Sequence, residues 1–151
     1  MLSWQFKHFE DLSIYELYDL LALRVKVFVV EQNCPYQELD DKDQVAFHLI
    51  AKNKKGNIVG TMRILPRGVS YEEISFGRIV IDKSERGKQL GHKMMEKAMD
   101  FVLSQAGESA IRLSAQKHLE NFYIKHEFLS TGKEYLEDGI PHLEMYYKPK
   151  N

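Results

Sequence analysis

The 151-residue chain has one cysteine, Cys34, four prolines, one tryptophan and no long apolar run. A single cysteine excludes an internal disulfide and any zinc site made from several thiolates, and it fits a reducing compartment, so the cytoplasm is the expected location. No stretch approaches the roughly 20 apolar residues of a membrane-spanning helix. Met1-Leu2-Ser3-Trp4-Gln5-Phe6-Lys7-His8 also lacks the uninterrupted apolar core of a signal peptide. Nor does charge of one sign dominate: 21 Lys and Arg stand against 22 Asp and Glu, a formal charge of -1. Without a global field there is no general attraction to nucleic acid or to an anionic membrane, and a charged partner must be recognised locally.

What is present is a composition of 44% hydrophobic and 28% charged residues, far from the signature of disorder. A chain of this length buries most of its apolar surface, which predicts one domain over 1–151. Ser3 to Phe9 alternates like a half-buried strand. Ser13 and Glu16 form a capping box, with Leu12 and Leu17 at the staple positions. The helix that follows carries Ile14, Leu17, Tyr18, Leu21, Val25 and Phe28 at three- and four-residue spacing, which predicts a core-facing stripe. Cys34 to Asp43 is polar and reads as a loop.

Beyond the loop, Ala46–Ala51 and Ile58–Leu65 read as strands joined by an Asn- and Gly-containing hairpin turn. Ile74–Ile81 is more apolar and is expected at the centre of the sheet, buried on both faces. A second helix over roughly Lys88 to Gln105 shows Leu90, Met94, Ala98, Phe101 and Val102 on one face, its methionines serving as core filler. A strand at Ile111–Ala115, a short helix from His118 to about His126, and strands near Phe128–Tyr135 and His142–Lys148 complete the order. The result is an α/β mixture with one open sheet.

The most informative segment runs from Ile79 through Asp82-Lys83-Ser84-Glu85-Arg86-Gly87-Lys88-Gln89-Leu90-Gly91, a strand that turns through glycine into a long helix. The first amides of a helix lack intrahelical acceptors, the helix dipole adds partial positive charge, and glycine allows close approach, so a pyrophosphate is the natural guest. Arg86 and Lys88 add positive charge. The plainer alternative is that Gly87 and Gly91 serve only a tight turn and close helix packing. Neither the P-loop string nor the dinucleotide fingerprint is present.

This segment resembles the GNAT acetyltransferase superfamily, whose [Q/R]-x-x-G-x-[G/A] signature is matched by Arg86 and Gly91, with Gln89 replacing the middle glycine. Asn121, Tyr123 and Phe128 keep the spacing of the family's second hallmark, and Glu127 stands where its glycine usually does. The stretches Phe28 to Gln37, Ala115 to Tyr123 and Asp138 to His142 resemble the ElaA-like subgroup. The resemblance implies the GNAT fold, a central mixed and mostly antiparallel sheet flanked by helices. It also implies acetyl-CoA as acyl donor, an amine acceptor and no metal. It places the pyrophosphate on Arg86, Gly87, Lys88, Gln89, Leu90 and Gly91, the thioester carbonyl on backbone amides of Ile79, Val80 and Ile81, and further cofactor contacts on Asn121 and Tyr123.

Acetyl transfer to an amine needs a neutral nucleophile, a polarised carbonyl and a protonated leaving thiol. An alkyl ammonium has a pKa of roughly 10.4, so a base must take its proton. Glu31, His118 and His142 are candidates and also candidate acceptor contacts. Each has an ordinary alternative: an exposed helix-end glutamate, a helix cap, a turn-stabilising histidine. Tyr123 is the candidate general acid, its alternative being an aromatic packed at the helix–sheet seam. Cys34 is expected to be a buried, inert thiol. Glu38, Asp40, Asp41 and Asp43 near the expected entrance favour a cationic acceptor or simply form a solvated face. Two rival functions fit the same sequence. One is an acyl-homoserine lactone synthase, echoed by Leu23-Arg24-Val25-Lys26-Val27-Phe28, and the other is an acyl-CoA sensor that transfers nothing. The acceptor and the oligomeric state stay open, a homodimer included.

Overall fold

Ser13 starts the first helix as the capping box requires. Its Oγ accepts from Glu16 N at 3.0 Å, and Glu16 Oε1 accepts from Ser13 N at 2.9 Å, which satisfies two of the orphan donors at the helix start. In the computed structural model, which describes residues 1–150, this helix (α1) spans Ile14–Val25 and widens into a π-helical segment, Lys26–Glu31. The expected period holds but its phase does not. Glu16, Leu20, Leu23, Arg24 and Val27 turn inward, whereas Ile14 and Tyr18 are 76% exposed. Two of the inward positions are charged, and each is neutralised: Glu16 by Lys7 and Lys52, Arg24 by Glu38 and Asp43. A buried ion pair reads as surface in an apolar pattern, and this rotated the predicted stripe.

Four strands follow one another as antiparallel neighbours: β1 (Ser3–His8), β2 (Phe47–Lys52), β3 (Ile58–Leu65) and β4 (Ser75–Ile81). A second sheet places β5 (Ile111–Gln116) beside β7 (Ile140–Tyr147), with β6 (Phe128–Glu137) outside it. Helix α2 (Leu90–Ala106) and the short α3 (Glu120–Ile124) complete the elements. Met94, Met95 and Ala98 of α2 are fully buried and join Leu49, Met62 and Phe76 of the first sheet to Leu113, Phe128 and Met145 of the second in one apolar cluster. Phe6 stacks on Phe101 at 4.2 Å, tying β1 to the far half of α2.

The expected single sheet is thus two, and the expected centre strand is where they part. The two sheets meet at a parallel bridge between Ile74, just before β4, and Ile111 of β5, with Arg112 N donating to Ile74 O at 3.0 Å. Beyond it the pairing ends, so Ile79 and Ile81 are half-buried against open space and only Val80 is fully covered. One extra β4 residue lies between the Thr61–Val80 and Arg63–Gly77 pairs. Arg78 takes a φ of +51° at this bulge, and a bulge leaves backbone groups off the ladder. The split and the bulge together create the cleft. Among the described residues, no helix is long and apolar enough to cross a membrane.

Candidate active site

A cavity of about 960 Å³ fills the space where β4 and β5 separate. Gly77 to Ile81 form one wall, Ser114 and Gln116 of β5 the other, and the π-helical segment, the loop from Cys34 to Lys42 and the β6–β7 turn close its ends.

At one end of β4 the chain enters the turn to α2. Asp82 accepts from Ser84 N at 3.1 Å and pairs with Lys26 at 2.8 Å, fixing how the strand leaves the sheet. Gly87 then adopts a φ of +83° and Gln89 a φ of +62°, both in the left-handed region. Gln89 therefore supplies the backbone conformation for which a glycine is usual. The first bond closing α2 runs from Lys93 N to Gln89 O at 3.3 Å. Among the described residues, the backbone N–H groups of residues 87 to 92 have no acceptor. Six consecutive amides without an acceptor, at the positive end of a helix dipole, form an anion-binding concavity.

The two glycines divide their work. A Cβ at Gly87 would meet nothing within 4 Å, so that residue is there for its conformation. A Cβ at Gly91 would lie 3.1 Å from Phe122 Cε1, so this glycine lets α2 approach α3. His92 Nδ1 lies 2.9 Å from His126 Nε2, a second tie from α2, to the turn after α3.

The expected cationic side chains are less available than the amides. Arg86 donates from Nε to Ile81 O at 3.0 Å and pairs through a terminal nitrogen with Glu31 at 2.7 Å, and Lys88 faces Glu85 at 3.4 Å. Glu31 is thereby drawn to the mouth of this turn, although it also lines the cavity. Arg86 lines the cavity as well; Gly87 to Gly91 do not, and neither does Asn121, which is exposed on α3.

Tyr123 lies on the cavity wall at 7% exposure, its ring edge-on to both Phe122 and Phe128. Burial holds its phenol well above the ordinary range, which keeps the proton on the oxygen. His142, also on the lining, is buried and its Nδ1 sits 2.7 Å from Ile140 O. A carbonyl only accepts, so Nδ1 carries a proton; the other ring nitrogen, Nε2, lies 3.4 Å from Glu137 Oε2. His118 is exposed at the rim. Cys34, expected buried, is only half-buried and lines the cavity, its Sγ 3.6 Å from Asp138 O.

The acidic loop does not offer free charge to a cationic acceptor. Glu38 and Asp43 pair with the fully buried Arg24, Asp40 and Asp43 with Arg63, and Glu38 and Asp40 with Arg78. Asp41 accepts from the Gln44 side chain at 2.9 Å. Burial acts to raise the Asp40 carboxyl, but the hydrogen bonds and charge of Arg63 outweigh it and bring it down to about 2. Three arginines thus neutralise three carboxylates and clamp the loop to α1, β3 and β4.

Several cavity residues carried no sequence signal that singled them out: Tyr36, Tyr71 and Glu137 arrive from loops or from the strand end beside the last turn. Ser114 and Gln116 did leave a trace, alternating with the buried Leu113 and Ala115 along β5, so they mark the polar face of a half-buried strand.

A family model described as an acetyltransferase (GNAT) domain matches residues 16–149. Protein ElaA of Escherichia coli is 38% identical to this chain over 147 residues, covering 96% of this chain and 95% of its own. The crystal structure of an acyl-CoA N-acyltransferase from Pseudomonas aeruginosa superposes with a TM-score of 0.93 at 40% identity, over 98% of this chain and all of that one. The crystal structure of Escherichia coli ElaA gives a TM-score of 0.91 at 36% identity with the same coverage.

Proposed function

We propose that this chain, which belongs to the GNAT acetyltransferase family, transfers the acetyl group of acetyl-CoA to a primary amine by direct attack within the cleft between β4 and β5. The observation that carries this reading is the run of six unpaired amides, residues 87 to 92, beside the opening of that cleft. A pyrophosphate gives them acceptors and meets the helix dipole at its positive end. From there the pantetheine arm follows the half-open edge of β4. The bulge at Arg78 and the backbone through Ile79, Val80 and Ile81 offer donors to the thioester oxygen, where negative charge develops during attack.

The amine nitrogen bonds to the acetyl carbon and the C–S bond breaks. Tyr123, kept protonated by burial, gives its proton to the departing thiolate and regains one from solvent. The proton lost by the amine goes to His142 Nε2, whose lone pair is directed by the Nδ1–H bond to Ile140 O. Glu31 is the weaker candidate for that task because Arg86 already holds its carboxylate. Glu31 and His118 are assigned to the rim of the acceptor pocket, and Asn121 to the outer part of the cofactor path.

CoA release by purified protein, measured with putrescine, glucosamine, free lysine and an alanyl tripeptide as probe amines, tests the assignment. Release above spontaneous hydrolysis, with the N-acetyl product found by mass spectrometry, is expected for at least one probe. Saturable binding of acetyl-CoA with no release across the panel would favour a sensor, and absence of binding would end the reading.

A further inference from the structure

Tyr135 of β6 does not line the cavity, yet it touches Ser114 and His142, which do, and its hydroxyl also lies close to that of Tyr71 on the same lining. Its hydroxyl lies 2.5 Å from Ser114 Oγ, reaching over β7 to β5. Its ring stacks on the imidazole of His142, its cross-strand partner, at 6.1 Å between centroids and 19° between planes. Ser114 and His142 face the same cavity from adjacent strands, two residue pairs apart in the β5–β7 register. One tyrosine behind the wall is therefore in contact with both a hydroxyl and an imidazole on it.

The hydrogen-bond inventory gives this contact a direction. Ser114 has one O–H and two lone pairs. When Tyr135 donates to Ser114 Oγ, the serine proton is excluded from that contact and points elsewhere, and the open side of Ser114 is the cavity. The imidazole is fixed at Nδ1 by Ile140 O, which leaves the ring rotation about that bond to be set by what lies against its face. Tyr135 supplies that surface.

We propose that Tyr135 is the positioning residue of the acceptor pocket, holding Ser114 as a hydrogen-bonding contact for the acceptor amine and His142 with its Nε2 toward it. This rests on the acetyl-transfer reading above for what the pocket binds. It adds Ser114 to the residues that touch the acceptor, and it makes Tyr135 act only through the side chains it holds.

Two substitutions separate the contacts. Tyr135→Phe removes the hydroxyl and keeps the ring on His142; Tyr135→Leu removes both. With whichever probe amine is turned over, Tyr135→Phe should raise the amine KM about tenfold, the worth of one good hydrogen bond, with little change in kcat. Tyr135→Leu should also lower kcat, and acetyl-CoA affinity should hold within about twofold in both. Ser114→Ala should reproduce the Tyr135→Phe effect and add nothing on top of it, as expected for groups acting as one unit. Wild-type amine kinetics in folded Tyr135→Leu protein would overturn the proposal, and so would equal losses of amine and acetyl-CoA affinity. If the wild-type protein turns over no amine, the acetyl-transfer reading fails separately. The positioning claim is then read in the NMR ring-proton shifts of His142, which should hold in Tyr135→Phe and move in Tyr135→Leu; unmoved shifts in both would refute it.

Discussion

The turn from residue 86 to residue 91 and the wall made by Ser114, Tyr135 and His142 serve the same cleft, but they are built in opposite ways. The turn works through its backbone: its charged side chains are engaged by Glu31 and Glu85, and what it leaves unengaged are amides. The wall works through side chains brought from β5, β6 and β7 and locked to one another, with the loop behind it fixed by a buried cluster of arginines and carboxylates. A backbone site tolerates side-chain replacement as long as its dihedral angles survive, whereas a side-chain site fails when one member is lost. Under the proposed function the turn is the donor end of the cleft and the wall its acceptor end.

The sharpest test of the contrast is Tyr123→Phe, which keeps the ring and deletes the hydroxyl. If that hydroxyl protonates the leaving thiolate, kcat should fall by about 10²–10⁴-fold while acetyl-CoA affinity and melting temperature stay close to wild type. Single-turnover kinetics with direct titration of acetyl-CoA would check this. A wild-type kcat in the folded variant would reduce Tyr123 to packing.

Arg24→Leu should come next in size. It leaves two buried carboxylates short of a partner, a loss of about 3–5 kcal/mol in stability by denaturant unfolding, and it should release the loop from Glu38 to Asp43. Amine KM should rise more than the acetyl-CoA dissociation constant; the reverse would show that the clamp supports the donor end instead.

A smaller effect is expected at Gly87, whose φ of +83° with empty space around a Cβ makes the cost conformational. Gly87→Ala should weaken acetyl-CoA binding about tenfold, from roughly 1–2 kcal/mol of left-handed strain, and leave amine KM alone. Lys88→Ala, by contrast, should change affinity little, since an exposed pair to Glu85 contributes about 0–1 kcal/mol.

Acid should lower the stability of the fold as a whole. Asp40 and Glu16 are both brought down to about 2, from ordinary values of 3.8 and 4.5. In each, burial acts upward and is outweighed, by Arg63 at Asp40 and by the Ser13 amide with Lys52 and Lys7 at Glu16. The unfolded chain therefore binds these protons first, so the stability they contribute is complete above about pH 5 and is lost as pH falls toward 2. Melting temperature followed from pH 6 to pH 2 should decline over that window, and Asp40→Asn should flatten part of the decline.

The turn from β4 into α2 was legible in the sequence because glycine, helix start and strand are local signals. Ser13 and Glu16, Gly87, the element order and the buried methionines of α2 all read correctly from neighbouring residues. What stayed hidden was long-range pairing. Arg24 and Glu16 looked like surface because their partners lie far along the chain, and this turned α1 so that Ile14 and Tyr18 face outward. The acids from Glu38 to Asp43 looked free for the same reason. The parting of β4 from β5 had no marker, because an apolar strand reads alike whether a neighbour or a bound substrate covers it. Tyr135 lies 21 residues from Ser114 in sequence, and no spacing rule connects them.

The backbone character of the donor end can be observed amide by amide. In an NMR titration of isotope-labelled protein with acetyl-CoA, the amide resonances of residues 87 to 92 should move together, along one saturation curve, while those of β1 and of the exposed stretch of β6 around Lys133 stay in place. Saturable binding that leaves those six amides unmoved would contradict the account.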